Sequence, residues 1–401
     1  MIDIGTTNLV GYLIDLTTGT LLAEAGRPNG QSAWGADLMA RVLAATPRAR
    51  GGEDARDQLT RAVRRDIDML LTSLLRQIRA RKRHLLSLVF VGNSVMHHLF
   101  LGIPVESLGI APYVPVIEED VAFRPRDLGL RLPSSARAHF LPLLTGFVGA
   151  DAVGVALAVG LDHPCREKAE LALDLGTNVE LLLGMPDGVI WCASTPAGPA
   201  FEGGEIRSGM LFGPGAISAM DVEGEKFRFR TIDGLAPVGI CGTGLVDVVA
   251  GLLDLGVIEP SGRVRTAEEL ARDKSDELCC RIFEEDGRRG FLLAESENPT
   301  LARRIVLDQW DVRKLQAAKA AVRAAGDLLL QTAGIAWEDV GAIHLAGAFG
   351  THLLPERAAR IGLLPPLPLD RVRVVNNAAA SGARLALLSR ADLKRASDLK
   401  K

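Results

Sequence analysis

Two apolar residues, Ile2 and Ile4, flank Asp3 at the start of the chain. A polar group, Gly5-Thr6-Thr7-Asn8, follows, and then an apolar run from Leu9 to Ile14. The same pattern returns 171 residues later (174 minus 3): Leu171-Ala172-Leu173, then Asp174-Leu175-Gly176-Thr177-Asn178, then Val179 to Leu183. Apolar runs separated by so short a polar turn predict β-hairpins. One Asp-x-Gly-Thr turn is a weak signal, because those residues are common in turns. Two copies, each between strand-like runs, predict two related lobes.

Between and after the hairpins the pattern alternates between strand and helix periods. Leu59, Val63, Ile67, Leu70, Leu71, Leu74 and Ile78 recur at helical spacing within a basic stretch, 54–83, which reads as one helix or a pair. Leu86 to Val91 predicts a strand, and Gly92-Asn93-Ser94 leads into a helix carrying His97 and His98. Adjacent helical residues point apart, so these histidines read as core or capping groups rather than as a ligand pair. Residues 103–142 are proline-rich and irregular, with short strands expected. A small-residue helix is predicted over 152–160, with Asp151 as its cap in preference to a nucleotide-facing group.

Beyond the second hairpin, Val189 to Ser194 predicts a strand that runs into a small-residue loop around Glu202. The glycine-rich Val238 to Asp247 predicts a loop leading into a helix over 248–255, and the segment 261–291 an insertion or loop-rich flap. Asp308 predicts the start of a helix with the stripe Val312, Leu315, Ala318, Val322, Ala325 and Leu329, stopped by Gly334. Ile343 to Ala346 reads as a strand before the turn Gly347-Ala348-Phe349-Gly350-Thr351, and 378–388 as an alanine-rich helix. His163 to Arg166 marks the boundary between lobes at 1–165 and 166–401, with the flap near 261–300. The first strand is short, which points to a polypeptide that begins earlier or to an excised module.

The length of 401 residues accommodates two such lobes. A net charge of −3 gives no electrostatic footprint for nucleic acid, and aromatic residues at 4% disfavour base-stacking platforms. Apolar stretches are interrupted before membrane-spanning length and no signal peptide is visible, so neither nucleic acid nor a membrane is expected as a partner. Five cysteines without paired C-x-x-C spacing fit a reduced, cytoplasmic setting and disfavour an intrinsic iron–sulfur or zinc site.

The turns supply the candidate chemistry. Gly176 lets backbone N–H groups approach an anion, and Asp174 can hold a hard cation directly or through water. Glu202, in a small-residue loop, is a candidate base or water-orienting group, against the alternative of a structural turn. The Gly242-Thr243-Gly244 run opens a helix N-terminus, which favours anions. The glycines of Gly347 to Gly350 leave room for a flat ring.

This ordered set resembles the actin, sugar-kinase and chaperone ATPase superfold. YLIDLTTG, WGADLMARV, VGNSVMHHLFLG, LDLGTNVELLLG, AGPAFEGGEIRSGM, ICGTGLVDVVAGLLDLG, DVRKLQAAKAAV and HLAGAFG further resemble the ATPase module of the reductive activators of corrinoid proteins, over nearly the whole chain. The resemblance implies an α/β fold of two actin-like lobes of ribonuclease-H-like topology with an interlobe nucleotide cleft. It also implies ATP-driven reduction of Co(II) to Co(I) on the corrinoid protein of a methyltransferase system. In that reading Thr6 and Thr7, with Gly5, contact phosphates from one lobe, and Gly176, Thr177 and Asn178 from the other. Asp3 and Asp174 hold Mg²⁺ through water, while Gly347, Ala348, Phe349 and Gly350 support adenosine. Nucleotide binding would close the cleft and hydrolysis release it. Family members usually carry a plant-type ferredoxin domain whose 2Fe–2S cluster donates the electron. Its cysteine spacing is absent here, so the cluster is expected only on a missing domain or a separate ferredoxin-like donor. The sequence departs from the family at Leu307-Asp308-Gln309, where threonine usually precedes the glutamine, and at Asn376-Asn377, where glycine-asparagine is usual. A homodimer stays open. The alternatives are a small-molecule kinase of the same superfold, a dehydratase activator, whose bridging cysteines are not found, and a non-catalytic ATP-binding module.

Overall fold

The computed structural model describes residues 1–35, 37–46, 55–164, 166–176, 178–295, 304–365 and 367–399. It divides into two compact units. The first comprises Met1–Glu167, Leu182–Cys192 and Asn377–Lys401, and the second Lys168–Leu181 and Ala193–Asn376.

The first unit is built on strands β1 (Ile2–Ile4), β2 (Asn8–Ile14), β3 (Leu21–Pro28), β4 (Ser87–Gly92), β5 (Val121–Phe123) and β6 (Arg137–Phe140). Their order across the sheet is β3-β2-β1-β4-β6-β5. β1 runs antiparallel to β2 and parallel to β4, and β4 runs parallel to β6. The predicted apolar stripe becomes the buried face of a helix over Arg56–Gln77, where Leu59, Val63, Ile67, Leu70, Leu71 and Leu74 are all buried. Each such side chain contributes roughly 1.5–3 kcal/mol of transfer free energy. Ile78, the last member of the expected stripe, falls just past the helix and is 37% exposed. Phe90, Phe100, Phe123 and Phe140 form an aromatic cluster beside the sheet. The alanine-rich C-terminal helix, Ala378–Leu388, packs on the helix Ala150–Val159.

The second large sheet contains β7 (Ala169–Leu175), β8 (Asn178–Gly184) and β9 (Ile190–Pro196), joined late in the chain by two parallel strands, β16 (Val340–Ala346) and β17 (Val372–Val374). The order is β17-β16-β7-β8-β9, so reading outward from β9 the second sheet repeats the arrangement of the first. Between β9 and β16 lie two smaller sheets. One contains β10 (Ala216–Glu223), β11 (Lys226–Thr231) and β12 (Gly239–Ile240), the other β13 (Ile282–Glu285), β14 (Arg288–Glu295) and β15 (Arg304–Asp308).

The structure corrects the expectation of a loop-rich flap over 261–291. That stretch holds two short helices and β13 with the first half of β14, paired antiparallel. The sequence obscured this because Glu284-Glu285-Asp286-Gly287-Arg288 reads as a charged loop, whereas Asp286-Gly287 is the tight turn of a hairpin and the charged residues around it are paired strand ends, with Phe283 and Phe291 buried. The helix Gln309–Ala333 begins where Asp308 predicts, with Asp308 Oδ1 accepting the Trp310 and Asp311 N–H groups at 2.8 and 3.0 Å. Among the described residues no helix is long and apolar enough to cross a membrane.

Candidate functional site

In the first unit the Gly5-Thr6-Thr7 turn joins the end of β1 to the start of β2. Strand alternation buries Ile2 and Ile4 and turns Asp3 to the opposite face, level with Val10 of β2 and Val91 of β4. Ile4 lies level with Gly92 at the end of β4, and the next residue, Asn93, reaches across. Its Nδ2 donates to Thr6 Oγ1 at 3.1 Å, and its Oδ1 caps the helix Ser94–Leu101 by accepting the Met96 N–H at 3.0 Å. The turn is held from another direction by Asn29, whose Nδ2 donates to the Gly5 carbonyl at 2.9 Å.

Ser94 Oγ donates to the Thr145 carbonyl, which ties the loop after β6 to the same edge. That loop ends in the helix Ala150–Val159, whose first turn carries Asp151. The N-cap of this helix is Gly149, so Asp151 is not the cap the sequence suggested. Its Oδ1 accepts the Ala152 N–H at 2.9 Å from within the first turn, and burial pushes its carboxyl up to about 6. The carboxyl ends of parallel strands β1 and β4 and the loop after β6 thus gather Asp3, Thr6, Asn93 and Asp151. In open α/β sheets ligands bind at such ends.

His97 and His98 are both fully buried, as core histidines. His98 Nε2 accepts the Val116 N–H at 3.0 Å, so its proton sits on Nδ1, which faces the Ser94 carbonyl at 2.8 Å. His97 Nδ1, 3.2 Å from that nitrogen, is left as an acceptor. Burial lowers the pKa of both rings, that of His97 to about 3.

In the second unit Asp174, near the end of β7, pairs in register with Ala346 of β16. The Gly176 N–H donates to the Asn178 carbonyl at 3.1 Å across the turn; Thr177 lies outside the described residues. Gly347 follows β16 with φ of 82°, and a Cβ there would stand 2.6 Å from Asp174 Oδ1 and 2.4 Å from the Leu175 carbonyl. Only glycine lets that backbone lie against the carboxylate. Gly347–Gly350 is a single helical turn, and its Phe349 ring stacks on Phe201 with centroids 4.7 Å apart. Phe201 belongs to the 3₁₀ turn Pro199–Glu202, which carries half-buried Glu202.

The Gly242-Thr243-Gly244 run differs from the expected loop: it is the first turn of a helix, Gly242–Asp254. A Cβ on Gly242 would fall 1.8 Å from the Phe201 carbonyl. Close packing of the helix start on the Glu202 turn therefore accounts for glycine there. Thr243 is buried, its hydroxyl 3.3 Å from Cys241 Sγ.

The second unit thus brings Asp174, Gly176, Asn178, the Glu202 turn, the Gly242 helix start and Gly347–Gly350 into one connected neighbourhood from four separate stretches. The first unit places Gly5, Thr6 and Thr7 on one turn, with Asp3 on the strand that leads into it. Sequence reasoning passed over Asn93 and Asn29 as site residues. Their visible signal was an asparagine just before a helical run, which names a cap but not the second partner across the fold.

Among the described residues no group of three or more His, Cys, Asp or Glu side chains gathers that could hold a metal ion. A magnesium ion at these turns would take most of its ligands from phosphate and water, as that ion commonly does.

A sheet order used twice, each time with an Asp-x-Gly-Thr turn beside the central strand, defines the actin-like ATPase fold, the ASKHA class. Residues 168–401 match the family described as the C-terminal domain of RACo, the ASKHA domain, and residues 1–164 match the RACo middle region. The chain belongs to the RACo family. It is 35% identical over 390 residues to the corrinoid activation enzyme RamQ of Eubacterium limosum, an alignment covering 97% of this chain and 64% of that protein. It is 28% identical over 268 residues to the Co(II) methylated amine-specific corrinoid protein reductase of Methanosarcina barkeri, covering 61% of this chain and 44% of that one. Among solved structures, a reductive activator for corrinoid, iron–sulfur protein superposes with a TM-score of 0.84 at 32% identity, over all of this chain and 61% of its own. The chain therefore spans less than two thirds of the length of each relative.

Proposed function

We propose that this chain is the ATP-binding and ATP-hydrolysing module of a corrinoid activator, driving the return of a stalled Co(II) corrinoid protein of a methyltransferase system to Co(I). The observation that carries the reading is the repeated turn, Asp3 to Asn8 and Asp174 to Asn178, at equivalent places in two sheets of the same order. The names of its relatives support the corrinoid protein as partner.

In this reading each unit presents its own phosphate-binding turn, through Gly5, Thr6 and Thr7 in one and Gly176, Thr177 and Asn178 in the other. Asp3 and Asp174 are the residues that would hold magnesium, through its water; the ion would neutralise phosphate charge. Glu202 orients a water and takes its proton as that water attacks the γ-phosphorus, the bond to the ADP oxygen breaks and inorganic phosphate leaves. The Gly242 helix start and Gly347–Gly350 support the rest of the nucleotide. The electron comes from a ferredoxin-like donor carrying a 2Fe–2S cluster, on a further segment or a separate protein. Membrane and nucleic acid have no role, and the setting is cytoplasmic.

The test follows cobalt by its visible absorbance. A Co(II) corrinoid protein is mixed with this chain, a low-potential chemical reductant and MgATP. Co(I) should form with ATP and not with ADP. Formation at the same rate without nucleotide would contradict the proposal. Phosphoryl transfer to a sugar or small acid with no corrinoid protein present would favour a kinase instead.

A further inference from the structure

Asn29 begins a polar loop for which neither the fold nor the reaction accounts. It is completely buried, yet every polar group it has is committed. Its carbonyl accepts the Ser32 N–H at 3.1 Å and its Oδ1 the Gln31 N–H at 3.0 Å, which caps the short helix Gly30–Trp34. The other two groups point back to the phosphate-binding turn of the first unit. The Asn29 N–H donates to the Thr7 carbonyl at 2.9 Å, and Nδ2 donates to the Gly5 carbonyl at 2.9 Å. One buried residue therefore grips the turn at both of its ends.

A cap needs only the first pair of these bonds, and the β2–β3 ladder explains only the Thr7 bond. The amide nitrogen's reach to Gly5 is required by neither.

The residues behind Asn29 favour the same orientation. Gln31, also fully buried, is anchored by its Nε2 donating to the Leu59 carbonyl at 3.0 Å, with its Oε1 3.4 Å from Asn29 Nδ2. Arg41 lies behind Gln31, buried, with Nε donating to the Gly35 carbonyl at 2.9 Å and Nη1 3.5 Å from Gln31 Oε1. A cation directed at the Gln31 oxygen holds that amide with its oxygen towards Asn29, and so holds the Asn29 amide with its nitrogen towards Gly5. On the other side of the turn Asn93 holds Thr6.

We infer that Asn29 is a positioning residue for the nucleotide's phosphates: it fixes the Gly5–Thr7 turn in the shape that receives them before they arrive. This rests on the proposed ATP site, and it adds a residue that touches neither nucleotide nor metal. Preorganised donors stabilise charge without reorganisation at the moment of binding or reaction. Loss of the grip should therefore weaken phosphate recognition and leave nucleoside recognition intact.

Asn29→Asp removes the donor to Gly5 while keeping an oxygen for the Gln31 N–H; Asn29→Ser is the second variant should the first not fold. Two measurements are made on the whole chain. Hydrogen–deuterium exchange without nucleotide should quicken at least tenfold over residues 5–8, with the equivalent turn at 174–180 unchanged. The dissociation constant for MgATP should rise at least tenfold and that for adenosine stay within twofold. Unchanged exchange over 5–8 overturns the inference, and so does faster exchange with ATP affinity retained. Parallel losses for ATP and adenosine, or failure of both variants to fold, make Asn29 merely structural and overturn it as well. If the wild-type chain binds no ATP, the ATP-site reading fails; the exchange result then judges the grip on the turn by itself.

Discussion

Glu202 and Asp174 have different tasks, and the difference is measurable. Glu202 sits on a turn whose neighbour, Phe201, is locked by stacking on Phe349 and by the Gly242 backbone, so replacing its carboxylate leaves that scaffold in place. Glu202→Gln should lower kcat for ATP hydrolysis by roughly 10²–10⁴-fold, the usual range for a general base, while moving the ATP dissociation constant less than threefold. Steady-state turnover with direct binding measurements checks this; equal losses in both would make the residue structural. At this scale the placement of Asp3 and Asp174 on strands that lead into short polar turns was legible, because a motif used twice in strand-turn-strand context is informative where one copy is not. Asn29 and Asn93 were not legible, because their second partners, Gly5 and Thr6, lie 24 and 87 positions away. Nor could the sequence tell that Gly242 serves close packing; glycine for a ligand and glycine for a neighbouring backbone look alike.

The helix Ser94–Leu101 carries a pH dependence of its own. His97 is neutral in the folded chain with its pKa lowered to about 3, and burial lowers His98 as well. An unfolded chain protonates both near 6.5. Stability from these groups is therefore full above about 6.5 and falls as the solution is acidified towards the folded value. For His97 alone the loss between pH 7.5 and 5.5 is about 1.4 kcal/mol. Asp151 acts in the opposite direction. Its carboxyl is raised to about 6, so it gains stability over the same window, roughly 0.8 kcal/mol by the same linkage. His97→Leu should thus lose about 1.4 kcal/mol less than the wild type on that acidification, by urea unfolding at the two pH values. Equal losses would mean that His97 titrates normally. Elements whose apolar period is long, such as Arg56–Gln77 and Gln309–Ala333, were readable to within a few residues. The 261–291 sheet was not, since charged hairpin turns and surface loops share a composition.

The whole molecule repeats one sheet order around one kind of turn. The repeat itself was visible in the sequence as two Asp-x-Gly-Thr segments. The strands that complete each sheet come from distant parts of the chain: β4 and β6 for the first, β16 and β17 for the second. No local pattern assigns those partners; the resemblance to corrinoid activators implied only the two-lobed, ribonuclease-H-like topology and not which strands pair. Both family regions and the relatives agree with that resemblance. The claim on which everything else rests is that these turns bind and cleave MgATP. The direct measurement is phosphate release by the full chain and by Asp174→Ala, with a Co(II) corrinoid protein present and with folding checked by circular dichroism. We predict turnover by the wild type and a loss of at least 100-fold in a folded variant; equal turnover by the two would contradict the account.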